Sequence, residues 1–392
     1  SADELEMLVA HLWELGQTHY DYFYFDENCS YHMLTTLEAA APRLRLTEHL
    51  PFYVIPSETI RVVGETPGLV SKISFRPSIR AVFRERVSRL NREERQWLKA
   101  AVADFDLSAL PADASPASKA RVLDGALDFL EFKFPGDILN RDTPSAKWKK
   151  QVLLARARVD VQSDEVVVAL PQDERPDGGH RAGRWTLAGG VESTGGTGNF
   201  NFWQLEYRFA LHDLLDQGTG YPKNAEIQFG NLGARYTAAG NFEIDNIRFF
   251  KVVSLNPWSE FSKGLSFNSS IGLEKLWDRN CNRCLAGVFE GGPGLAFELG
   301  VPQILLFGFL NAQVATSNQL LPSGWRLGVG PTAGLLLEPF RGLKVLAQGA
   351  YRYFWLTAFT DHYEFKLETR WTLSNTLAFN LAAVSAPSAA NQ

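Results

Sequence analysis

Two hydrophobic periods divide the chain. Over residues 3–18, Leu5, Leu8, Val9, Leu12 and Leu15 recur at helical spacing. "DYFYF" follows and reads as a strand-like aromatic run. Asp26 and Asn28 are good N-caps for the helix that "CSYHMLTTLEAAAP" predicts, and Pro42 stops it. "FYVIPSETIRVV" reads as extended, and helices are predicted near 78–106, 116–133 and 145–159. The pattern therefore predicts a mostly helical domain over 1–160 and a linker over 161–183.

From residue 184 the period becomes two. In "FWQLEYRFALH", Trp203, Leu205, Tyr207, Phe209 and Leu211 alternate with Gln204, Glu206, Arg208 and His212. "YEFKLETRW" and "LKVLAQGAYRYFW" repeat the arrangement. About eleven such runs of 9–15 residues are separated by short turns. That length approaches what a strand needs to cross a bilayer. One face carries aromatics. The other carries charges of both signs, which a dry sandwich core would not accept but a barrel interior can pair. The reading is an outer-membrane β-barrel over 184–392, with a soluble lipocalin-like or sandwich fold as the alternative. Bacterial barrels have even strand counts. A twelfth strand is expected from the "APSAANQ" end or from residues 157–169.

Composition narrows the function classes. A net charge of −5 over 392 residues gives no footing for a nucleic-acid partner. The basic helical stretch from Ser74 to Val102 reads as a solvated face or as a patch for lipid head groups. Three cysteines occur, and Cys281 and Cys284 share a turn between two strands. Two cysteines are half a zinc site, so a disulfide is the reading and neither a metal nor a cofactor is expected. The chain opens directly on an amphipathic helix, as a fragment or mature product would.

The third cysteine, Cys29, falls at a helix start, where backbone N–H groups and the macrodipole favour a thiolate. The same amides can serve as an oxyanion hole. The bland reading is a buried core cysteine. Asn28 is an N-cap or an orienting and donating residue. His32 lies one helical turn away, as a base or as a neighbour that positions the thiol. Tyr31, His11 and His19 are further candidates, and His180 reads as structural.

"HLWELGQTHYDYFYFDENCSYHMLTTLEAAAP", "VIPSETIRVV" and "GLVSKISFRPS" closely resemble the bacterial family with the Lnb N-terminal periplasmic domain, of the lipoprotein N-acyltransferase type. "PDGGHRAGRWTLAGG" and "CNRCLAGVFEGGPGLAF" extend the resemblance into the barrel. "FDENCSYHML" also echoes the Asn-Cys motif of circularly permuted NlpC/P60 and lecithin:retinol acyltransferase-like enzymes. The resemblance implies an α+β chain. A partial papain/NlpC-like, mostly helical periplasmic domain would precede an antiparallel transmembrane barrel of about twelve strands in the outer membrane. It implies Cys29 as nucleophile, a phospholipid as acyl donor and a lipoprotein amine as acceptor, with outer-membrane lipids as partners. The family carries a Gly-His-Thr segment upstream of the cysteine, and this chain begins after that point. A peptidoglycan-directed cysteine peptidase or amidase, and a non-enzymatic barrel with a periplasmic binding domain, are the other function classes.

Overall fold

A computed structural model describes residues 1–50, 53–168, 176–194, 198–278, 281–301, 303–357 and 361–385. The chain forms two compact units, Ser1–Ser71 with Asp173–Gln392, and Lys72–Gln172. No helix among the described residues is long and apolar enough to cross a membrane.

Among the described residues, the first unit is built on one antiparallel sheet of eleven strands in strict sequence order. They are β1 (Arg184–Thr194), β2 (Gly198–His212), β3 (Ala225–Thr237), β4 (Phe242–Ser254), β5 (Ser266–Asp278), β6 (Cys281–Glu298), β7 (Ile304–Thr316), β8 (Pro322–Phe340), β9 (Leu343–Thr357), β10 (Asp361–Ser374) and β11 (Leu377–Ser385). Alternation follows the period-two pattern. Arg208, Arg352 and Arg370 are 1%, 4% and 6% exposed, whereas Trp203, Tyr353 and Trp355 are exposed on the other face. The expected twelfth strand is not among the described residues. Residues 158–168 form no strand, and the "APSAANQ" end lies outside the described residues.

The sheet is curled, because its inward charges meet across its width. Arg283 of β6 donates to Glu192 of β1 at 2.8 Å. Arg352 of β9 donates to Glu290 of β6 at 2.6 Å, and Asn311 and Gln313 of β7 donate to the same carboxylate. The densest knot involves the β2–β3 connection. There Asp213 and Asp216 accept from Arg184 of β1, Arg208 of β2 and Arg370 of β10. Between these two carboxylates, Leu214 and Leu215 are buried in an apolar cluster with Leu305, Phe307 and Phe309 of β7, Leu336 of β8 and Leu346 of β9. Lys344 of β9 donates to the Asp216 carbonyl at 2.6 Å. This connection therefore folds inward onto the concave face of the curled sheet at the end where β1 begins.

The N-terminal part of this unit is helical. α1 (Ala2–Leu15) carries a capping box from Ser1 and Glu4, and packs beside α2 (Cys29–Ala40) while leaving Leu5, Val9, Leu12 and Trp13 exposed. Leu34, Ala41, Leu44, Leu46 and Val62 form the core beneath α2. Two sequence expectations fail here. "DYFYF" forms no strand and enters α2 through turns, so the strand-then-cysteine-helix arrangement is absent from the described residues. Residues 56–65 form α3 (Pro56–Glu65), not an extended segment. Its β-branched residues look strand-like. Pro56 at the first turn nevertheless sets helical φ, and Glu58, Thr59 and Val62 bury one helical face.

The second unit is a bundle of α4 (Ile79–Ser88), α5 (Arg92–Asp104), α6 (Pro116–Lys133) and α7 (Pro144–Ala157) around Phe83, Leu98, Leu130, Trp148 and Val152. The continuous helix predicted near 78–106 is broken, because Asn91 and Glu94 form a capping box that starts α5 afresh. Part of the basic stretch turns inward: Arg86 pairs with Asp128 at 2.6 Å.

Burial works to raise the Asp213 carboxyl, but Arg370, Arg184 and Arg208 outweigh it and hold it well below the usual carboxylate range. Burial and the Asp213 charge oppose ionisation of Asp216, and the same three guanidiniums still lower it to about 2. These depressed values mean that the knot's contribution is present above about pH 4 and is lost as pH falls through about 2. Asp216→Ala should leave three guanidiniums short of one counter-charge and cost about 3–5 kcal/mol. Band-shift gels of heated and unheated protein, which resolve folded from unfolded barrels, would show it as a lowered unfolding temperature. A further expectation is that the intact protein gives no steady current in planar bilayers. A Leu214→Ser/Leu215→Ser variant should loosen this inward packing and admit one. A large open conductance in the unmodified protein would contradict an inward-packed connection that blocks passage.

Candidate functional site

Cys29 is the first residue of α2, and its thiol is free and exposed. The buried-core reading of this cysteine therefore fails. Asn28 before it is 3% exposed and does two things at once. Its Oδ1 caps the helix, accepting from the Ser30 amide at 3.1 Å, the Tyr31 amide at 3.3 Å and the Ser30 hydroxyl at 2.7 Å. Its Nδ2 donates to the Val54 carbonyl at 2.7 Å and the Tyr24 carbonyl at 3.2 Å. One amide group thus ties the cysteine loop to the segment that precedes α3.

The capping has a chemical consequence. The Ser30 and Tyr31 amides are taken by the Asn28 side chain, and the His32 amide donates to the Asn28 carbonyl at 3.2 Å. Among the described residues only the Cys29 N–H of this turn is left without a partner, so the oxyanion hole read from the sequence shrinks to one amide.

His32 follows on the same helix, half-buried, with its ring stacked on Tyr20 at 4.0 Å and edge-on to Tyr31 at 5.7 Å. Its Nε2 is buried and makes no hydrogen bond, so none joins it to Cys29 among the described residues. The other candidates lie elsewhere. His11 sits on α1 with Nδ1 3.9 Å from Glu14. His180 stacks on Tyr221 at 4.5 Å, with Nε2 3.7 Å from Asp216. Burial pushes its pKa down, so it stands neutral beside the charge knot. Cys284 is disulfide-bonded and buried; the side chain of Cys281 lies outside the described residues. No group of three or more His, Cys, Asp or Glu among the described residues could hold a metal.

The loop that carries Cys29 is seated on the sheet. Phe25 and Tyr24 meet Phe229 of β3 edge-on at 5.3 and 6.0 Å. Tyr53 and Ile55 are buried against Phe209 and Leu211 of β2 and the same Phe229. Glu58 of α3, 8% exposed, accepts from the Ala182 amide at 2.8 Å, two residues before β1. Phe209 stands on the same outward face as Tyr207, with the two rings 4.6 Å apart. The loop therefore docks on the apolar exterior of the curled sheet, at the end where β1 begins. Sequence reasoning missed Tyr20, Glu58 and the Asp213–Asp216 pair. An Asp-x-x-Asp turn directly after a strand that places Arg208 on the inward face was the available signal for the last of these.

A thiol at a capped helix start, held against the apolar rim of a curled antiparallel sheet, defines the class: a barrel-like sheet with a helical cysteine domain at one end. Residues 173–388, more than half the chain, match the model of a domain of unknown function, DUF7840, and the chain belongs to that family. Residues 1–66 match the Lnb N-terminal periplasmic domain, and residues 73–168 match a second domain of unknown function, DUF7842. No curated protein and no solved structure matched the chain. The periplasmic-domain match and the barrel-like sheet together point to an outer-membrane protein with a periplasmic N-terminus.

Asn28→Asp separates the two roles of this residue. Aspartate caps a helix as well as asparagine but cannot donate to the Tyr24 and Val54 carbonyls. The substitution should cost about 1–3 kcal/mol and raise hydrogen exchange over residues 53–55. Unchanged exchange there would reduce Asn28 to a cap.

Proposed function

We propose that this protein is a cell-envelope thiol acyltransferase in which Cys29 carries the acyl group. The observation that supports it most is the exposed Cys29 thiol on a loop fixed by Asn28, within the stretch that matches the Lnb N-terminal periplasmic domain. The helix start stabilises the thiolate. The Cys29 sulfur attacks the carbonyl of a phospholipid ester, the Cys29 N–H donates to the developing oxyanion, and the alcohol leaves as a thioester forms. The amine of a lipoprotein's N-terminal cysteine then attacks the thioester, giving an amide and restoring the thiol. The thiol proton passes to an imidazole and returns to the leaving alkoxide. Among the described residues His32 is the candidate, one turn from Cys29 and with Nε2 unpartnered. The papain/NlpC relationship and a twelfth strand belong to this reading. So does the placement of a helical periplasmic domain ahead of the barrel.

The docking of Phe25 and Tyr24 on the sheet exterior supports a lipid donor, since it sets the loop beside the surface that faces acyl chains. Protein reconstituted with phospholipid should yield an acyl adduct of Cys29 in mass spectrometry. Cys29→Ala should abolish transfer, a loss of at least about a thousandfold, with the barrel still folded. His32→Ala should cost less if His32 only positions the thiol, and comparably if it is the base. Cleavage of muropeptides with no lipid adduct would turn the assignment to a peptidase.

A further inference from the structure

The first unit contains a cavity whose lining does not include Cys29. It measures about 900 Å³, within the size range of small-ligand sites, and lies between α3 and the start of β1. Its floor is made by Tyr53, Gly183 and Tyr207. The absence of a side chain at Gly183 lets the two hydroxyls approach, since a Cβ would come within 2.7 Å of the Tyr53 hydroxyl and 3.2 Å of the Tyr207 hydroxyl. Among the lining residues Trp185, 68% exposed, meets Tyr207 in a tilted ring contact at 4.4 Å on the outward face. That is the position of the interfacial aromatics that mark the edge of a bilayer. Leu187 and Val191 continue the exposed strip along β1.

The charges of the wall sort into engaged and available. Glu58 is committed to the Ala182 amide and lies 3.5 Å from Arg61. Arg61 donates to the Gly179 carbonyl, and Arg43 is held bidentately by Glu4. Arg181 and Glu65 remain: both are exposed, and among the described residues neither side chain has a hydrogen bond or ion pair. One available cation and one available anion share a cavity whose edge meets the lipid-facing strip. A purely anionic head group would meet Glu65 unfavourably, whereas a head group carrying both phosphate and ammonium matches both.

We infer that this cavity binds the head group of a zwitterionic, amine-bearing phospholipid. Arg181 takes the phosphate, Glu65 takes the ammonium, and the acyl chains run down Trp185, Leu187 and Val191. The inference does not rest on acyl transfer, so Cys29→Ala should bind the lipid unchanged.

The test is native mass spectrometry of the full chain from detergent, titrated with phosphatidylethanolamine and phosphatidylglycerol in parallel. The expected result is preferential retention of phosphatidylethanolamine. It should weaken about tenfold in Arg181→Ala and in Glu65→Gln, as loss of one hydrogen bond to a charged group predicts. Glu65→Lys should reverse the preference toward phosphatidylglycerol. Both residues are exposed, so the variants keep the fold. Equal retention of the two lipids by the unmodified protein, or unchanged retention in the Arg181→Ala/Glu65→Gln double variant, would overturn the site. If soluble glycerophosphoethanolamine competes as well as the lipid does, the acyl chains contribute nothing and the membrane source fails.

Discussion

The interaction on which the described fold turns is the capture of three guanidiniums by two carboxylates in the β2–β3 connection. A sheet whose strands pair only with their sequence neighbours twists and curls, but that pairing supplies no bond between its first strands and its tenth. Asp213 and Asp216 supply one, because Arg184 and Arg208 reach them from β1 and β2 while Arg370 reaches them from β10. Each ion would be costly to bury alone. Together they are tolerated because each of the four carboxylate oxygens has a guanidinium donor, and the backbone amides of Asp213, Leu215 and Asp216 donate as well. The same turn carries Leu214 and Leu215 onto the concave face, so one sequence element supplies both a cross-sheet ion cluster and apolar packing within the curl.

The site inherits its position from that curled frame. The end of the sheet where β1 begins presents Phe209, Leu211 and Phe229 outward, and these receive the Cys29 loop and the Tyr53–Ile55 segment. From there a run of contacts leads back to the frame. Asn28 holds Val54, Pro56 opens α3, and Glu58 of α3 holds Ala182 just ahead of β1. Cys29 itself contributes little to this framework, which leaves its thiol available for chemistry.

The barrel half of the chain was readable because its physics is local. Alternation along "FWQLEYRFALH" names the face of each side chain without knowledge of its partners, and all eleven runs appear as strands. The helical half was less so. In residues 56–65, β-branched side chains argued for a strand while Pro56 and the burial of Glu58, a charged residue, decided for a helix. Nor can a sequence show that the cap of Asn28 consumes the amides next to the thiol. Asn28 and Cys29 were legible as a pair. The stacking of His32 on Tyr20, and the seat of the loop on Phe229, depend on contacts between segments 12 to about 200 residues apart.

The strict sequence order of the sheet also bears on how it is assembled. Most strands find their neighbours through short connections, the β2–β3 and β4–β5 connections being the longer ones, so ordering adjacent strands costs little loop entropy and the sheet can grow hairpin by hairpin. The contact between Arg370 and Asp213 spans 157 residues and cannot form until β10 arrives. Until then the carboxylates of the second turn hold only their two local arginines. The chain thus carries its own latch from an early stage of assembly, and that latch reaches its full set of partners only when β10 is in place.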